Sequence, residues 1–148
     1  MLAAFEKTKK AQVALMKVAK SQVHLYGAAE GKIDSDDKNV FHISNLVEKP
    51  PLGTEKTEHV IIGRYVLLPD IWPILKKQKP GAIGEIQLTD GLFSLMKSGK
   101  LMGYKFKGNR IDAGDKLGYI KANLVEALSR KEIKEDVLKM VKEVLSEA

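Results

Sequence analysis

Three places in the chain carry acids and bases at spacings that invite a chemical reading. In VEKPP, residues 47–51, Glu48 and Lys49 stand side by side at what reads as a strand end, because Pro50 and Pro51 cannot donate to a central ladder. Adjacent residues on a strand point to opposite faces, so the two can share a ligand only where the strand twists or stops. There a carboxylate can accept from two sugar hydroxyls while an ammonium meets a phosphate oxygen. The plainer reading is an exposed, charged strand end. In RIDAGDKLGY, residues 110–119, Asp112 and Asp115 lie three residues apart where a strand gives way to a helix. Asp115 is placed to cap that helix. Asp112 either pairs with Arg110 or Lys116, or takes the cap itself, or is left for a ligand; Ala113 and Gly114 are small enough for a metal or a sugar phosphate to come close. One carboxylate is an incomplete magnesium site, which needs further oxygens from protein, substrate or water. In GEIQLTD, residues 84–90, Glu85 suits the positive end of a helix.

Other chemistries find little support. His24, His42 and His59 are scattered without ligand spacing and read as surface or packing residues. No Ser-His-Asp order, HExxH, GxxxxGK[ST] or GxGxxG occurs in these 148 residues. The absence of cysteine excludes disulfides and thiolate metal sites and fits a reducing compartment. With no apolar run near the roughly 20 residues that a bilayer requires, and charges in MLAAFEKTKK where an export signal needs apolar residues, the chain is expected to be soluble and cytoplasmic, away from membranes. A formal charge of +6 favours polyanions, but the lysines from Lys7 to Lys20 have no aromatic residues among them to stack bases. We read them as a solvated face and expect no nucleic-acid partner.

The elements that must position these residues follow from pattern. The first residues look like the closing turns of a helix that starts upstream. Residues 12–19 form a strand apolar on both faces, residues 40–50 a strand or short hairpin around Asn45, and residues 59–69 a strand in which Gly63 marks a bulge or a close backbone approach. A short helix follows with Asp70 as its N-cap, then a second over residues 86–96 ended by Gly99, then a strand near residue 101. From Lys116 the chain is helical with a break near Lys131. Residues 31–39 and 50–58 are polar and turn-rich and read as loops. At 148 residues this makes one domain, 1–148, of the α/β class, with a mixed β-sheet, flanking helices and a helical C-terminus.

Taken in order, Tyr26-Gly27, LVEKP at 46–50, IIGRYVL at 61–67, GEIQLTD at 84–90 and RIDAGDKLGYIKA at 110–122 resemble the bacterial UTP-glucose-1-phosphate uridylyltransferases, also called UDP-glucose pyrophosphorylases. The resemblance runs to about Arg130. It implies a partial Rossmann-like nucleotidyltransferase fold and a Mg²⁺-assisted attack of glucose 1-phosphate on the α-phosphorus of UTP, yielding UDP-glucose and pyrophosphate. It further implies that Glu48 binds glucose hydroxyls, Lys49 the sugar phosphate and Asp112 the metal. By the same resemblance Gly27 lets the backbone approach the sugar, and Gly63 and GEIQLTD help to shape the pocket. The family's glycine-rich triphosphate loop and its other metal-binding aspartate have no counterpart in these residues. The expectation is therefore the C-terminal, sugar-binding part of such an enzyme, inactive unless a nucleotide-binding half is supplied, as by another chain. The alternative is a noncatalytic, sugar-phosphate-binding or self-associating module. A sheet cut partway would leave strand edges unpaired, so a homo-oligomer is expected.

Overall fold

A computed structural model describes residues 1–80, 84–108, 110–111 and 113–147. The chain divides into two compact units, Met1–Lys107 and Gly108–Ala148.

The first unit is built around strand β1, Ala11–Lys17, whose first five residues are all buried. A strand with no polar face must be covered on both sides. Val13 and Leu15 turn into a cluster with Phe41, Leu46, Ile61, Ile71, Leu92 and Leu95, while Ala14 turns the other way, toward Val23, Ala28, Val60 and Ile62. The period of two in side-chain direction produces this division. Helix α1, Leu2–Thr8, precedes β1, and a 3₁₀ turn over Lys20–Leu25 follows it.

Strands β2 (Gly27–Ile33), β3 (Val40–Glu48), β4 (His59–Val66) and β5 (Leu101–Lys105) complete a mixed sheet. β1 runs antiparallel to β4 and parallel to β5, and the order β1-β4-β2-β3-β5 closes on itself. Two joints of this ring are brief: β2 meets β4 only at Ala28 and Val60, and β3 meets β5 only at Val40–Tyr104 and Phe41–Gly103. Each strand is thus paired on two sides, and the expectation of open strand edges is not met.

Helices α2 (Ile71–Lys77) and α3 (Leu88–Lys97) pack on the larger cluster through Ile71, Leu92 and Leu95. Burying a leucine of this kind stabilises by about 1.5–3 kcal/mol, so α3 is held firmly against the sheet. Gly99, at φ 68, ends α3 as expected, its N–H bonding the carbonyl of Met96 at 2.9 Å.

Three local expectations need correction. The loop expected from residue 31 begins later, because β2 runs to Ile33; its Ala-Ala-Glu-Gly-Lys pattern lacks the β-branched residues that announce a strand. Asn45 does not turn the chain: β3 is one strand, and the Asn45 amide reaches across to Glu30 at 3.1 Å. Asp70 makes no side-chain cap to α2 and instead forms an ion pair with Lys100.

The second unit contains α4, Lys116–Ser129, and α5, Lys134–Glu147, with the break near Lys131 where expected. Asp115 caps α4, its Oδ1 accepting from the Gly118 N–H at 2.9 Å. No helix among the described residues is long and apolar enough to cross a membrane.

Candidate functional site

The end of β3 gathers the acidic half of the site. Gly27 on β2 stands in register with Glu48 on β3. Glu48 shares a strand face with Leu46, two residues earlier, and so points toward the side on which α3 packs. There Thr89, in the first turn of α3 and only 8% exposed, donates its hydroxyl to Glu48 Oε2 at 2.5 Å. A Cβ on Gly27 would lie 3.0 Å from that same Oε2, 3.2 Å from Ile61 Cδ1 and 3.3 Å from Thr89 Oγ1. Glycine at position 27 therefore leaves room for the carboxylate and hydroxyl to meet above the backbone.

Lys49 follows at φ 44, a left-handed conformation that a non-glycine residue rarely takes. It also precedes Pro50, and a residue in that position is ordinarily pushed toward extended backbone. Its N–H bonds the Tyr26 carbonyl at 3.1 Å, so the strained turn is tied to the start of β2. Leaving the pleat here frees Lys49 from the strict alternation that would set it opposite Glu48. The side chain is exposed. Strain of this kind costs of order 1–3 kcal/mol and concentrates where ligands bind.

Strand β4 supplies the neighbours. Between Ile61 and Tyr65 the register against β1 shifts, and Gly63, at φ 72, sits inside that bulge as its sequence context implied. Apart from its chain neighbours, nothing lies within 4 Å of a Cβ built on Gly63. The bulge lies between Ile61, whose Cδ1 would be 3.2 Å from a Cβ on Gly27, and Tyr65, whose phenol burial pushes above its ordinary pKa with a smaller push from the Glu48 carboxylate.

Gly27 and Glu48 are brought together, Lys49 is next to them, and Gly63 shapes the strand beside them. Asp112 lies outside the described residues. Thr89 and Tyr65 carry no local signal of their own in the sequence beyond lying within GEIQLTD and IIGRYVL. Among the described residues no three His, Asp or Glu side chains gather to hold an ion. The histidines have other places: His42 Nε2 lies 2.6 Å from Asp34 Oδ2, and the His59 ring packs on Phe41 with centroids 4.7 Å apart. Burial, with Lys17 and Lys105 nearby, holds the His59 imidazole below its ordinary pKa. The arrangement is that of a hydrogen-bonded carboxylate beside an exposed cation, chemistry suited to hydroxyls next to a phosphate.

No protein-family model matches the chain. It is 40% identical over 135 residues to a UTP–glucose-1-phosphate uridylyltransferase of Streptococcus pyogenes, a match covering 90% of the chain and 43% of that enzyme. A UDP-glucose pyrophosphorylase crystallised with UDP-glucose superposes with a TM-score of 0.79 at 37% identity, covering 86% of this chain and 48% of the other. A UTP-bound UGPase from Acinetobacter baumannii gives a TM-score of 0.83 at 28% identity, covering 97% and 48%. The chain thus spans under half the length of the relatives it matches.

Proposed function

Because the chain corresponds to the C-terminal part of the bacterial UTP-glucose-1-phosphate uridylyltransferases, we propose that it provides the hexose-phosphate side of such an enzyme's active site, on a nucleotidyltransferase fold of Rossmann-like type. The observation that carries this is Glu48, pinned by Thr89 over Gly27, with Lys49 in a strained turn immediately after it. Oε1 of Glu48 accepts from glucose hydroxyls and the Lys49 ammonium neutralises the sugar phosphate. An oxygen of glucose 1-phosphate attacks the α-phosphorus of UTP, and pyrophosphate leaves as UDP-glucose forms. These residues contribute by positioning and charge neutralisation, which dominate phosphoryl-type transfers. Asp112 would be a ligand for magnesium, and among the described residues no three His, Asp or Glu side chains gather to complete an ion site. The triphosphate-gripping part must be joined to these residues, in the same polypeptide or as a second chain.

The test combines the 148-residue protein with a separately produced nucleotide-binding half, supplied with UTP, glucose 1-phosphate and magnesium. UDP-glucose, followed by ion-exchange chromatography, is expected from the mixture and lost with Lys49→Ala or Glu48→Gln. A mixture in which both halves are folded and associated but no product forms refutes the catalytic reading.

The second reading is a self-associating module, and the helical hairpin favours it. Leu117, Tyr119, Ile120, Met140, Val144 and Leu145 on α4 and α5 are 52–74% exposed, an apolar face of the kind that self-association covers. Sedimentation velocity showing a stable monomer at micromolar concentration contradicts it.

A further inference from the structure

We infer that Thr89 is the positioning residue of the hexose site, holding one oxygen of Glu48 so that the other is presented to the sugar. This rests on the reading of Glu48 as the sugar-binding carboxylate. Thr89 is one of two buried polar residues among the described ones. A buried hydroxyl left without a partner is costly, and this one gives its single proton to Glu48 Oε2. A hydroxyl that donates to a carboxylate makes a bond of the stronger, charge-assisted kind.

The geometry reaches further than one bond. Thr89 belongs to a helix anchored by Leu92 and Leu95, both at or below 1% exposure, so the donor comes from a rigid element. Its β-branched side chain has few rotamers available in a helix. Gly27 faces the pair from β2 with no Cβ, and Ile61 closes the apolar side. Glu48 Oε1 has no hydrogen-bond partner among the described residues. A carboxylate on a flexible side chain would sample many orientations; this one is held at one oxygen, and its other has no partner among the described residues. Sugar binding then avoids the entropy loss of ordering the side chain. The interaction links GEIQLTD to VEKPP through chemistry instead of mere proximity.

The experiment is a double-mutant cycle read by calorimetric titration of glucose 1-phosphate into the folded 148-residue protein. Thr89→Val keeps the shape and removes the donor; Thr89→Ser keeps the donor. Thr89→Val is expected to weaken binding about tenfold, as for a lost bond to a charged group, and Thr89→Ser by no more than about twofold. Added to Glu48→Gln, Thr89→Val is expected to weaken binding no further, since both act through one carboxylate. A purely structural Thr89 would lower the unfolding midpoint and give additive losses in the cycle. Wild-type affinity in Thr89→Val, or additivity with Glu48→Gln, overturns the inference while leaving Glu48 as the sugar ligand. Undiminished binding in Glu48→Gln overturns the sugar-binding reading and this inference with it.

Discussion

Gly27→Ala separates stability from binding at the site. An alanine Cβ would meet Glu48 Oε2, Ile61 Cδ1 and Thr89 Oγ1 at 3.0, 3.2 and 3.3 Å, each closer than ordinary van der Waals contact. Relief requires shifts of a few tenths of an ångström in those side chains. Overpacking of this degree costs about 1–3 kcal/mol. Gly27 does not take a positive φ, so alanine also restricts the unfolded chain, which offsets about 0.4–1 kcal/mol. The net cost to folding is therefore about 0–2.6 kcal/mol, measurable by urea denaturation. Binding suffers differently, because the atom displaced first is the carboxylate oxygen itself. Losing one well-placed hydrogen bond to a carboxylate costs about 1.5–3 kcal/mol, so glucose 1-phosphate binding should weaken about tenfold or more. Calorimetry on the folded variant supplies the comparison. If Gly27→Ala binds the sugar phosphate as tightly as the wild type, the carboxylate is not held against Gly27 in the bound state and the reasoning fails.

Leu92→Ala empties a fully buried position on the helix that carries Thr89. It should cost about 2–5 kcal/mol in urea unfolding, and a smaller loss would show that α3 can settle into the gap. Tyr65 should titrate above its ordinary value in an alkaline NMR titration, chiefly through burial, so Glu48→Gln is expected to lower its pKa only in part. Since the raised folded pKa favours the neutral phenol, the associated stability is present below the unfolded value and lost as pH rises through the folded one. Asp34 moves the opposite way, held at about 2 against 3.8 by the His42 hydrogen bond and then by the Asp37 and Asp36 N–H groups. Its contribution is present above 3.8 and lost as pH falls toward about 2, so Asp34→Asn should flatten the acid limb of the stability curve in that window. An unchanged limb would mean that the hairpin contacts do not hold in solution.

Part of this protein is readable by eye along the chain. The two-faced apolar run of β1, the glycine bulge in β4, the break between α4 and α5 and the Asp115 cap all follow from local rules, because period, β-branching and capping chemistry act over a few residues. The ordered motifs named Gly27 and Glu48 together, and β2 and β3 bring these two residues into register. Strand β2 escaped because its small and charged residues become a strand through pairing with β3, a contact between segments and not a property of either. Asp70 occupies an N-cap position in the chain, yet Lys100, thirty residues away, offers its carboxylate a charged partner. The closure of the sheet was decided by pairing between distant strands, and the contact of Thr89 with Glu48 by packing α3 against the sheet. A sequence states which side chains are available; which oxygen of a carboxylate stays free for a ligand depends on what the folded core brings against the other.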